Sequence, residues 1–152
     1  MNGGLIDSLV LLFAVLYYGF LVLVYLVRAH DQSDLELKLA PLFSVQLIPF
    51  GILWALNLQK GETNRILSLT PIMVFLLYDL WYRLITRKKS LHHPDRWPVG
   101  LVAYLVLLFA GSIGLNWYGF IVSDFYGNML VVAFFVMISS FGYYQFSYNK
   151  SK

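Results

Sequence analysis

The chain has no cysteine. Disulfides, iron–sulfur ligation, haem thiolates and thiol nucleophiles are thereby excluded together. Charge is scarce: Asp, Glu, Lys and Arg make up 12% of the 152 residues, where a soluble domain carries about 25%. Too little polar side chain remains to cover a water-facing surface. Histidine is scarce too, and three His argue against the His-rich membrane di-iron desaturases and hydroxylases. The sequence contains no G-x-S-x-G, no P-loop, no Rossmann fingerprint and no CxxC pair, so nucleophilic, nucleotide-dependent and dithiol chemistry have no motif to stand on. Low-complexity segments and internal repeats are absent, and the net charge of +3 is no signal for nucleic acid.

What fills the chain is apolar residue, 59% of the total with a mean hydropathy of +0.68. It comes in long runs. A membrane span needs roughly 20 mostly apolar residues, because the hydrocarbon core is about 30 Å thick. Five runs meet or approach that length, giving expected helices at about 4–27, 37–58, 65–86, 98–122 and 128–148. They are apolar on every face, unlike barrel strands, which alternate. The sequence thus predicts an all-α integral membrane protein, a single domain over residues 1–152, with five transmembrane helices in an antiparallel bundle. Residues 4–27 lack a basic n-region and a cleavage site and read as a retained helix, not a signal peptide. Five helices do not divide into two equal inverted halves, which weakens an inverted-repeat transporter.

The positive residues set the orientation. Arg28 and Lys38 follow helix 1, Arg83, Arg87, Lys88, Lys89 and Arg96 follow or end helix 3, and Lys150 and Lys152 form the tail. The opposite side has only Lys60 and Arg65. The positive-inside rule puts the N-terminus outside and the C-terminus inside, with residues 87–97 as a basic cytosolic loop. The plasma membrane is the expected location.

Local signals mark the joints. Ser33 and Glu36 match a capping box ahead of helix 2. Gly61 suits a helix end and Thr63 or Asn64 the next N-cap. Residues 123–128 read as a tight hairpin turn. Pro49 should interrupt helix 2 and free a carbonyl near residue 45, and Pro71 should bend helix 3. Small residues at 110–114 and 139–142 predict close contact between helices 4 and 5, or self-association through them. Asp7 and Asp124, near outer ends, are expected to be solvated.

Two places could carry chemistry. Asp79 lies inside helix 3, with Arg83 four residues later on the same face. A lone carboxylate there costs a few kcal/mol, which pairing lowers. With Gln46 and Tyr82 these residues form the candidate intramembrane polar site. The second place is the cytosolic loop. His92, His93, Arg96, Lys88 and Lys89 are candidates for headgroup contact or acid–base work. His30, His92, His93 and Asp95 form a conceivable metal set, but adjacent loop His rarely point the same way, and no metal or cofactor is expected. Asp95, Trp97 and Pro98 have a structural use at the start of helix 4.

The favoured function from sequence is a non-catalytic accessory subunit or assembly factor of a larger membrane complex, in contact with bilayer lipid and anionic headgroups. The alternatives are a lipid- or small-ligand-handling enzyme or carrier using the Asp79 site, and an oligomeric channel or transporter.

Overall fold

A computed structural model of the protein describes residues 3–30, 39, 44–86 and 99–150. The side chains of residues 82–86, 99–101 and 148–150 lie outside that description. All elements among the described residues are helices: α1 Gly3–Ala29, α2 Leu47–Gln59, α3 Thr63–Thr86, α4 Val99–Val122 and α5 Asp124–Lys150. Each long helix repeats its buried residues at helical spacing. On α1 these are Ile6, Val10, Ala14, Tyr17, Leu21 and Tyr25, and on α3 Leu69, Ile72, Phe75, Leu76 and Asp79. A three-to-four residue step keeps such positions on one face.

The helices form a closed ring in chain order, with α5 returning to α1 and α4 also touching α1. Facing residues give the directions. Gly51 meets Met73 and Trp54 meets Thr70, so α2 and α3 are antiparallel. Ile72 meets Gly111 and Ser68 meets Gly114, so α3 and α4 are antiparallel. Tyr18 packs on Phe134 and Tyr25 on Phe141, so α1 and α5 run parallel. An aromatic cluster holds the centre. Tyr17 lies edge-on to Phe50 and Phe75, both at 6.4 Å, and Phe75 lies 5.2 Å from Tyr104. Edge-to-face geometry sets the positive ring edge against the negative face.

Among the described residues, three of the five expected spans are long and apolar enough to cross a membrane: Gly4–Ala29, Val102–Val122 and Asp124–Ser147. The other two fall short for different reasons. α2 has 13 residues, about 20 Å at 1.5 Å per residue, below the ~30 Å core. Its shortness comes from Pro49. The proline ring clashes with the carbonyl four residues back, at Val45, and the chain turns at Gln46 before α2 begins. The interruption falls where Pro49 predicts it. In α3, the described stretch through Trp81 contains Asn64, Arg65 and Asp79, which lower its mean hydropathy.

The α2–α3 joint matches its sequence signal. Gly61 has φ 68°, the left-handed conformation that ends helices and favours glycine. Its N–H donates to Leu58 and that of Glu62 to Asn57, both at 3.1 Å. α3 starts at Thr63, a residue or two ahead of the expected boundary. The α4–α5 joint is tighter than expected. Only Ser123 separates the helices, and α5 starts at Asp124 instead of 128. Ser123 caps α5, its Oγ accepting from the Tyr126 N–H at 3.3 Å. The turn is this short because Gly119 packs on Gly127: a Cβ at 119 would stand 3.0 Å from the Gly127 Cα. The capping box at Ser33 and Glu36 lies outside the described residues.

The small residues of α4 do not serve the expected contact. Gly111 and Gly114 face Ile72, Ser68 and Pro71 of α3, not α5. On α5, Ser139 is exposed and Gly142 has nothing within 4 Å of where a Cβ would stand. Small residues permit close approach, and here the neighbour that takes the space is α3.

Candidate functional site

The polar side chains gather at the two ends of the bundle. At the end holding the start of α1, the end of α2 and the start of α3, an ion pair joins α1 to α3. Arg65 Nη2 lies 2.9 Å from Asp7 Oδ2, and Arg65 Nη1 lies 2.9 Å from Glu62 Oε1. The other Asp7 oxygen accepts from the Tyr118 hydroxyl of α4 at 2.8 Å. Asp7 is therefore buried, not solvated as expected: 8% of its surface is exposed. The physical reason is that an acid on the inner face of α1 finds a cation and a hydroxyl at the same depth, and a paired charge can be buried.

Asn57, on the last turn of α2, completes the cluster. Its side chain stands beside Tyr118, is fully buried, and donates to the Leu53 carbonyl at 2.9 Å. Its Oδ1 and the Arg65 Nε have no protein partner. Ser68 donates to the Arg65 carbonyl at 2.9 Å, fixing the first turn of α3 beneath the guanidinium. Deeper in, the Tyr18 hydroxyl lies 2.9 Å from both the Ser112 carbonyl and Asn116 Oδ1, a second polar tie between α1 and α4.

Sequence reasoning missed this cluster. A signal was present: Asp7 is the lone charge of the first apolar run, and Arg65 is one of two cations on its predicted side. Oppositely charged residues at one predicted depth are natural partners.

The opposite end holds the site expected from sequence. Asp79 is 1% exposed, on the inner face of α3 one turn beyond Phe75. The α2–α3 register set by Gly51 with Met73 and Trp54 with Thr70 carries Gln46 to the level of Tyr78 and Asp79. Gln46 is half-buried, and its Oε1 has no protein partner. The α3–α4 register places Tyr104 at the same level. Tyr82 and Arg83 belong to the last turns of α3, but their side chains lie outside the described residues, as do Lys88, Lys89, His92, His93, Asp95 and Arg96 entirely. His30 follows α1 and is exposed, its ring 6.5 Å from that of Tyr143. The structure therefore brings Gln46 and Asp79 to one level and leaves the loop residues undescribed.

Outward-facing side chains are apolar all round the ring. Leu12, Leu16 and Leu23 of α1, Ile48 and Ile52 of α2, and Val74, Leu77 and Trp81 of α3 are exposed. On α4 the exposed set includes Val106, Ile113 and Trp117, and on α5 Val132, Phe135 and Phe146. A water-soluble monomer does not expose contiguous apolar surface on this scale. Three apolar helices and an apolar outer surface are the properties of a membrane protein. No known protein family, curated protein or solved structure matches the chain.

Proposed function

We propose that the protein crosses the membrane five times, with its N-terminus outside and its C-terminus in the cytosol, in the plasma membrane. Two observations support the crossings by α2 and α3. Both lie antiparallel to neighbours, and both turn apolar side chains outward along their length. The turn at Gln46 lets α2 be short, because Ser44 and Val45 before it, and Leu39 further back, are helical too. The distribution of Lys and Arg supplies the direction. The chain's lack of cysteine makes the test simple. Single cysteines at Asn2 and Gly61 should react with an impermeant maleimide added to intact cells, and one at Ser151 only after permeabilisation. Labelling of the Ser151→Cys protein in intact cells would reverse or break this topology.

We further propose that it serves as a non-catalytic subunit or assembly factor of a larger membrane complex. The observation that carries this reading is the outer face of α5. That helix has 27 residues, yet it is the least buried of the three long apolar helices. Phe125, Phe135 and Phe146 project outward, each at least 60% exposed, and Ser139 and Gly142 lie exposed among them. Small residues beside large aromatic ones let another helix approach closely and pack, where lipid supplies no hydrophobic drive. In a mild detergent the protein should migrate with further membrane polypeptides. Gly142→Trp together with Ser139→Trp should release it from them without altering its helix content by circular dichroism. A lone, monodisperse protein from several mild detergents would contradict this function.

A further inference from the structure

The outward side of α5 has a regular order. Phe125, Asn128, Val132, Phe135, Ser139 and Gly142 are all exposed. Their spacing alternates three and four residues, so they form one stripe with a mean step of about 3.5. Leu130, Met137 and Tyr144, at the same seven-residue repeat, are buried on the opposite side. A stripe of this period keeps facing a second helix that crosses at about 20°. No charged residue falls between Phe125 and Phe146. The Ser139 hydroxyl donates to the Phe135 carbonyl of its own helix at 2.9 Å. Ser139 therefore brings small size to the stripe without an unmet donor.

We propose that the helix packed on this stripe is α5 of a second copy of the chain, the two running parallel about a two-fold axis along the membrane normal. The inference rests on the reading of α5 as a partner-binding face and names that partner; further polypeptides of the complex bind the pair. One sequence inserts in one direction, so two α5 helices meet parallel and each stripe residue faces its own image. The stripe tolerates this because it carries no charge, whereas like charges set face to face repel. Asn128 gains from it. An amide both donates and accepts, so it pairs with an identical amide, and a single polar residue in such a seam fixes register and copy number. Phe135 lies between Val132 and Ser139 on the stripe, and its ring finds room over Ser139 of the second copy. The area is sufficient. Phe125, Phe135, Tyr143 and Phe146 are 47% to 72% exposed. At roughly 200 Å² for an aromatic side chain, these four offer about 500 Å² per copy. Two copies together reach the ~1,000 Å² of a specific interface.

The test uses the full chain, which has no cysteine of its own, with one cysteine introduced at a time and oxidised by copper phenanthroline in the membranes of the cells that make it. Val132→Cys, Phe135→Cys and Ser139→Cys should each link into a dimer of twice the chain mass. Ile113→Cys on α4 and Ile52→Cys on α2, both exposed and off the stripe, should stay monomeric. Asn128→Leu should weaken association about threefold, the mean worth of a polar contact between membrane helices. Energy transfer between donor- and acceptor-labelled copies, diluted in phosphatidylcholine vesicles, reads that change. Equal linking on and off the stripe, or an Asn128→Leu pair as tight as the native one, would overturn the proposal. A benzophenone maleimide on the same stripe cysteines separates the remaining cases. Capture of a different polypeptide with no dimer would overturn the second copy and leave the subunit reading standing. Capture of lipid alone would overturn both.

Discussion

Gly114→Val should cost the fold about 3 kcal/mol, at the upper end of what overpacking usually costs. A Cβ on Gly114 would overlap the carbonyl oxygen of Ser68 in α3. That oxygen belongs to a helix backbone and cannot rotate aside as a side chain does. The Pro71 ring, with Cγ 3.4 Å from the same point, closes the other direction. α3 and α4 would have to separate, and the separation would reach Gly111, whose Cβ position is 3.2 Å from the Ile72 Cα. Dispersion contacts along the whole seam would weaken, because a radial gap of even about 0.5–1 Å forfeits a quarter to a half of each. Gly142 is the control. Nothing lies within 4 Å of its Cβ position, so Gly142→Ala should be neutral or gain up to about 1 kcal/mol from helix propensity. Denaturant titration of the protein in mixed micelles, followed by circular dichroism, gives both values. Equal stability of the two variants would show that the α3–α4 seam is not the close contact described.

These glycines also show how far the sequence could be read. Small residues in a membrane helix mark close approach, and 110–114 does make one. Which helix approaches is set by rotation about the helix axis, and an apolar run that is hydrophobic on all sides carries no phase. For the same reason the five apolar runs were legible while their inner faces were not. Gly61 and Pro49 were legible because their effects are local: one supplies a left-handed backbone, the other removes a donor and displaces a carbonyl. The start of α5 was misplaced because the residues at 123–128 read as a turn, whereas the glycine pair Gly119 and Gly127 lets the helices fold back after Ser123 alone. Asp79 stood out as a charge inside an apolar run, and it lies on the inner face of α3. Asp7 has the same signature, yet its place near a helix end made solvent the simpler destination. Its partners are 58 and 111 residues away in sequence, and only the closed ring brings them together.

That ring makes the second large effect predictable. Asp7→Ala should destabilise the protein by about 3 kcal/mol, the lower part of the range for breaking a buried ion pair. Three consequences add. Arg65 keeps only Glu62, which is 40% exposed and holds a screened, weak pair. The Tyr118 hydroxyl loses its acceptor, which costs about 1 kcal/mol for a buried group. The guanidinium, with 17% of its side chain exposed, stays largely out of water without its main counter-charge. Tyr118→Phe should cost only the hydrogen bond, about 1 kcal/mol. Asp7→Asn should fall between, since its amide oxygen can still accept from Tyr118. The double variant Asp7→Leu with Arg65→Leu should recover most of the loss, because removing both partners leaves no uncompensated charge. The four proteins of that cycle, measured in the same micelles, give the coupling directly. A coupling energy under about 0.5 kcal/mol would mean that the two side chains act independently and that the ring is closed by the α3–α4 and α1–α5 packing alone.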